Sequence, residues 1–271
     1  MLRSMYAGIS GMKNFQTKLD VIGNNIANVS TTGFKKGRVT FQDMMAQTTT
    51  AAQGPTANRG GINASQVGLG SQLGSIDNIH TQGFRQTTNN PLDLSIQGDG
   101  MFMVDGGEGT TYYSRAGNFY LDESGAIVNP DGYYLIGEGF DEAGDPVNRI
   151  TIPTDAQSFN IQSDGTVNYI DANGDPLVAG QIQLANFSNP AGLELAGSNL
   201  YLATPNSGDA LVVDPDSDGV GSLVSNSLEM SNVDLAEEFT EMITAQRGFQ
   251  ANTRIITTSD EILQELVNLK R

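Results

Sequence analysis

Met5, Gly8, Met12, Phe15, Leu19, Ile22, Ile26 and Val29 step along the chain by three and four in alternation, and all but Gly8 are apolar. That spacing predicts a helix over residues 3–29 whose stripe is the seam of a coiled coil. Leu2, Tyr6, Ile9 and Val21 lie beside the seam and widen the apolar face, which then asks for more than one packing partner. The far end of the chain carries a second helix. Ser231-Asn232-Val233-Asp234 supplies cap-type residues, and Glu237, Glu238 and Glu241 fill the early turns, where acids suit the helix dipole. Leu235, Phe239, Met242, Phe249, Ile256, Leu263 and Leu266 then recur at helical spacing, flanked by Ile243, Ile255, Ile262 and Leu269. Lys270 and Arg271 close the end that the dipole prefers to be basic.

Gly8, Gly11, Gly23 and Gly248 sit inside these helices and cost about 1 kcal/mol each relative to Ala, so both helices need packing in order to form. Periodicity alone leaves two arrangements open: packing on a central domain, or pairing of the ends with each other and with other molecules. Charge favours the second. Residues 1–40 carry a net +5, residues 41–225 a net −18 and residues 226–271 a net −4. No lysine occurs between Lys36 and Lys270, so the middle is compositionally unlike the ends.

Within that middle, residues 44–75 are almost uncharged and rich in Thr, Ala, Gln, Gly, Asn and Ser, which reads as linker or irregular structure. Residues 91–213 show short apolar runs at 92–96, 101–104, 111–115, 126–128, 133–137, 159–162, 167–170 and 181–187. Turn sequences break them at 122–125, 129–132, 141–146, 163–165 and 171–176, with the Asp-Gly and Asn-Gly pairs that tight hairpins use. Regular strands with such turns indicate an antiparallel β domain.

Several chemistries are excluded or weakened. A net charge of −17 argues against a nucleic-acid binder that neutralises phosphates. With no cysteine there is no disulfide, thiolate site or cysteine nucleophile, and the single histidine, His80, rules out a zinc site needing two imidazoles. No apolar run approaches the ~18 residues of a membrane span, and the first twenty residues carry charges and glycines where a secretory signal has its apolar stretch. Asp214, Asp216, Asp218 and Gly219 match the first half of a calcium loop, but Ser225 stands at the twelfth position, which needs a bidentate Glu. In the run Asp171, Asn173 and Asp175, Pro176 stands where the loop needs Gly. The glycines at 68, 70 and 74 miss the dinucleotide spacing. Carboxylates are too abundant, at 31, for sequence to single out a catalytic pair. No metal, cofactor, catalytic residue or small-molecule substrate is assigned, and the chain reads as a non-enzyme.

The segment 23–35, GNNIANVSTTGFK, ends the first helix in residues that tolerate left-handed backbone. With it, the chain resembles the axial proteins of the bacterial flagellum, the family of rod and hook subunits. The motifs that carry the resemblance are LDVIGNNIANVSTTGFK (19–35), NPLDLSIQGDGMF (90–102), YSRAGNFYLDESGAIVNPDGYYLIG (113–137) and SNVDLAEEFTEMITAQRGFQANTRIITTSDEILQELVNL (231–269). Asn24, Asn25, Asn28, Gly33 and Phe34 are the family-motif residues of the first.

The resemblance implies an α+β fold. Its N- and C-terminal helices pair in a coiled-coil-like inner domain (1–32 with 230–271), followed by a linker region (33–76 with 220–229) and a central antiparallel all-β domain (77–219). Within the family the chain is most similar to a short hook subunit without the extra outer domain of longer hooks; the distal rod subunit, similar in length, is the alternative. The resemblance further implies self-assembly into a curved hollow tube that transmits torque. It places that tube outside the cell at the filament base, exported by the flagellar type III apparatus without a cleaved signal. The partners implied are further copies of the chain, the distal rod protein, the hook cap, the hook–filament junction proteins and the export apparatus. The seam residues of both helices, from Met5 to Val29 and from Leu235 to Leu266, are expected to pack helices within and between subunits.

Overall fold

In the computed structural model, residues 2–55, 59–107, 109–140, 146–217 and 219–269 are described. The turn expected at 141–146 falls largely outside them, as do Asp218 of the acidic turn and the closing bases Lys270 and Arg271. The chain divides into two compact units. One comprises residues 1–27, 37–78 and 234–271, the other residues 28–36 and 79–233. Three parts were expected from sequence; here residues 37–76 of the expected linker fall with the helices, while 28–36 and 220–229 fall with the β domain.

The first unit holds two helices, α1 (Leu2–Ala27) and α2 (Leu235–Asn268). Helix α1 stops two residues short of Val29, which sits in the turn that follows. Helix α2 starts at the expected cap: the Asp234 carboxylate accepts the Ala236 N–H at 2.8 Å, and Glu237 and Glu238 occupy the first turn. Residues 37–78, of which 44–75 were expected to be linker or irregular structure, hold two antiparallel ribbons. Gly37–Asp43 pairs with Ser71–Asn78, and Ala46–Thr50 pairs with Ser65–Gly68. The second ribbon is exposed along its whole length. Its Thr and Gln side chains make no apolar face, so backbone hydrogen bonds define it without the alternation that marks a half-buried strand.

The second unit is an antiparallel β domain. Its main sheet runs from Ser158–Ile161 through Thr166–Ile170, Pro176–Ile182, Tyr134–Phe140, Met101–Asp105, Thr111–Ser114 and Leu200–Leu202 to Glu194–Gly197. Shorter strands, Leu184–Asn186 on Met101–Asp105 among them, add to this sheet, and two separate pairs lie in the same unit, Ser222–Ser225 with Leu94–Gln97 and Ser227–Glu229 with Arg85–Thr87. The unbroken apolar run 101–104 makes sense at the centre. Strand residues alternate between faces, so Phe102 and Val104 enter the main core while Met101 and Met103 enter a smaller cluster with Tyr113, Ala185 and Phe187. The strand is buried on both sides. Four of the expected turns share one closure: the N–H of Gly125, Gly132, Gly165 and Gly174 donates to the carbonyl three residues back at 2.8, 3.0, 3.1 and 2.9 Å.

Candidate functional site

The two helices run antiparallel. Gly8 lies against Ile256, Gly11 against Asn252, Phe15 against Gly248 and Asn25 against Glu238, so partner numbers fall as those of α1 rise. Small and polar side chains line this contact on α2. Glu238, Ala245 and Ser259 are its buried residues, spaced at multiples of seven. Gly248 makes room there, because a Cβ would stand 2.5 Å from Phe15 Cζ and the ring would have to shift. Asn25, 1% exposed, closes one end with three bonds: it donates to Gly37 O (2.9 Å) and Glu238 Oε2 (3.2 Å) and accepts the Gly37 N–H (3.0 Å). Asn14 donates to Ser71 at 2.8 Å and the Phe15 ring meets Phe41 edge-on, which holds the first ribbon along α1. The half-exposed Lys18–Glu241 pair, at 2.9 Å, contributes under about 1 kcal/mol.

Phe15 and Ile256 pack against the glycines of this contact, and several of the other large side chains are left open. On α1, Ile22 is buried and Met5, Met12, Phe15, Leu19 and Ile26 are half-buried. On α2, Met242, Phe249, Ile256 and Leu263 are half-buried, whereas Leu235, Phe239 and Leu266 are exposed, together with Ile243, Ile255, Ile262 and Leu269. Carried to the end of α1, the register sets Leu2 opposite about residue 261. The last turns of α2 therefore extend beyond their partner. Asn24 is exposed.

The remaining motif residues belong to the β unit. Asn28 accepts from Thr31 through both its carbonyl and its side chain, shaping the turn after α1. Half-buried Phe34 donates its N–H to Thr31 O. Gly33 has φ +70°, and a Cβ there would stand 2.5 Å from Ala116 N, so no side chain fits. Its N–H donates to Glu229 O at 2.8 Å.

Next to it lies a buried ionic cluster. Lys35 Nζ donates to Glu229 Oε1 at 2.6 Å and to Thr81 O at 2.9 Å, and Arg115 Nη1 donates to Glu229 Oε2 at 3.2 Å. The Gly83 N–H also reaches Glu229 Oε1, and Arg115 Nη2 reaches Gly98 O. Burial pushes the Lys35 ammonium below its ordinary range, against the pull of Glu229. His80 is pushed down to about 4 by burial first and then by Lys35 and Arg115. Sequence reasoning gave no role to Lys35, Arg115, Glu229 and Asn252, and it read Asn232 and Glu238 only as residues of the start of the second helix. The one usable sign was Lys35 itself, near the point where lysines cease. Among the described residues no group of carboxylates and imidazoles gathers in a form that could hold a metal.

The chain matches three family models: Flagella basal body rod protein at residues 5–35, Flagellar hook protein FlgE/F/G D1 domain at 95–169, and Flagellar basal body rod FlgEFG protein C-terminal at 224–269. It is 58% identical to the flagellar basal-body rod protein FlgG of Bacillus subtilis over 272 aligned residues, covering all of both chains. It is 41% identical to FlgG of Caulobacter vibrioides over 99% of this chain and all of that one. The flagellar hook protein FlgE of Borreliella burgdorferi is 30% identical, also with both chains covered, but over 442 aligned residues.

Proposed function

The chain belongs to the bacterial flagellar rod and hook protein family, and from that premise we propose that it is a structural subunit of the distal rod. The observation that carries this reading is length. Rod relatives align with it end to end at nearly its own 271 residues, whereas the hook relatives need 442 and 464 positions to align with the same chain. A short hook, the reading that sequence motifs favoured, has the same terminal and D1 matches behind it, because the two kinds of subunit share them. Assembly there would be into a straight shaft within the basal body, and the extracellular location expected of a hook gives way with it.

In this reading the helix unit is the inner, assembling part. Exposed Leu235, Phe239 and Leu266 and half-buried Met5, Met12, Phe15 and Phe249 are the surfaces that neighbouring copies cover. The helices order fully only on assembly. In support, Ile22 and Ala245 are the buried apolar residues of that unit among those described. Hydrogen exchange on the free monomer tests this: amides of α1 and α2 exchange far faster than those of Met101–Asp105, and equal protection overturns it.

The absence of native cysteine makes location testable. Ser124→Cys, at an exposed turn, is expressed in swimming cells, and purified hook–basal bodies are treated with maleimide nanogold. Gold on the straight shaft below the hook is expected. Gold on the curved segment restores the hook, and gold on neither removes the axial reading.

A further inference from the structure

The β unit holds a feature that assembly through helices does not use. A cavity of about 250 Å³ is lined by His80, Asp99, Met101, Arg115, Phe187 and Ser188, among others. Its wall is unbalanced in charge. Lys35 and Arg115 are both buried and share one carboxylate, Glu229, leaving one positive charge in excess. That carboxylate is spent, since Oε1 accepts from Lys35 and Gly83 and Oε2 from Arg115. A guanidinium has five donors, and Arg115 spends two of them, one on Glu229 and one on Gly98, which leaves three. His80 Nδ1 is buried without a hydrogen-bond partner, its ring tilted on Tyr201 at 5.5 Å. Buried charge without a counter-charge and a buried nitrogen without a bond both cost free energy, and here both border one cavity. Asp99 lies on the exposed rim, makes no ion pair with Arg115 within 4 Å, and acts through solvent that screens it.

We propose that this cavity is a carboxylate-binding site. Arg115 offers the planar fork that suits a carboxylate, and the His80 Nδ1–H donates to it. Met101 and Phe187, both buried, supply an apolar wall for the carbon that bears the carboxylate. The volume suits one side chain or a small acid and falls below that of pockets for larger ligands. The carboxylate comes either from a free small acid or from an Asp or Glu of a neighbouring copy, of which the chain carries 31. Neither source depends on the choice between rod and hook.

Because His80 is the sole histidine, the full-length monomer gives one imidazole signal in nuclear magnetic resonance. Sodium acetate is titrated against sodium chloride at equal ionic strength. A saturable imidazole shift in the millimolar range, specific to acetate, is expected, with the His80 proton affinity raised at least tenfold when acetate is bound. No saturable shift, or the same curve with chloride, overturns the site. Arg115→Lys weakens binding at least tenfold; since that change also touches the ion cluster, Ser188→Trp at the exposed rim is the second variant. It abolishes the acetate shift with an unchanged melting temperature, and an undiminished shift overturns the placement. The assembled polymer distinguishes the sources. An imidazole already at the acetate-bound position without acetate assigns the carboxylate to a neighbouring copy, and one that still responds to acetate assigns it to a free acid.

Discussion

The helix unit and the β unit of this chain stabilise themselves by opposite means. In the β unit, Leu94, Phe102, Phe119, Ile127, Leu135, Ile182 and Leu184 are buried around one core, and the ionic cluster of Lys35, Arg115 and Glu229 is sealed beside it. In the helix unit, glycines, Asn25, Asn252 and Ser259 line the contact while Phe239, Ile243 and Leu266 remain about half exposed. Both units carry helical or strand patterning of comparable clarity. What separates them is whether the large side chains face inward. Close approach of α1 and α2 uses small residues, and that choice leaves the apolar width for other surfaces.

Substitutions break or sharpen this contrast to different degrees. Glu229→Ala leaves two buried cations unpaired, so the β unit loses about 3–5 kcal/mol in chemical denaturation; a loss under about 1 kcal/mol would mean the cluster is far more hydrated than its burial indicates. Gly248→Val drives a side chain into the Phe15 ring and costs about 1–3 kcal/mol. The loss appears in helical circular dichroism, while the tyrosine environment of the β sheet stays as it was. If both signals fall together, the units are one cooperative block.

The pH dependence of the β unit provides the next effect. His80 titrates near 6.5 when unfolded and about 4 when folded, so between those values the unfolded chain binds more protons. Stability is fully present above about 6.5 and drains away as pH falls through 4. Partial solvent access reduces the gain to about 1–2 kcal/mol, and His80→Gln flattens the profile in that window. A profile identical in the variant assigns any acid lability to other groups. The smallest effect belongs to the cap. Asp234→Ala removes the acceptor for Ala236 N–H and costs about 1 kcal/mol of helix stability, read as faster exchange in the first turn of α2, whereas Asp234→Asn restores most of it.

Much of this architecture is legible in the residues. The run Met101–Val104 announces a strand buried on both faces, the Gly-closed turns at 125, 132, 165 and 174 set the hairpins, and Asp234 marks the start of α2. The ribbon Ala46–Thr50 with Ser65–Gly68 is not legible, because an exposed pairing of polar residues has no periodic signature. Nor is the α2 contact. A search for apolar spacing ranks Phe239 above Ala245 and Asn252, although the small residues are the ones that let α1 approach. Glu229 was one acid among 31, separated from Lys35 by 194 positions and from Arg115 by 114. Rod and hook subunits share the motifs that carry the resemblance, so those motifs alone do not separate the two.

The chain crosses from one unit to the other four times, after residues 27, 36, 78 and 233. On the β side, three of the four exits are knotted together by short bonds: Ile79 N–H to Lys36 O, Lys36 N–H to Asn232 Oδ1, and Asn232 Nδ2 to Ile79 O, at 2.9, 2.7 and 2.8 Å. Mechanically this is a cable gland. Tension arriving along any one of these chains is shared among the others before it reaches the sheet, and no single tether has to carry it. A chain whose exits are tied together in this way spreads a pull over three strands, where a single tether would carry it alone.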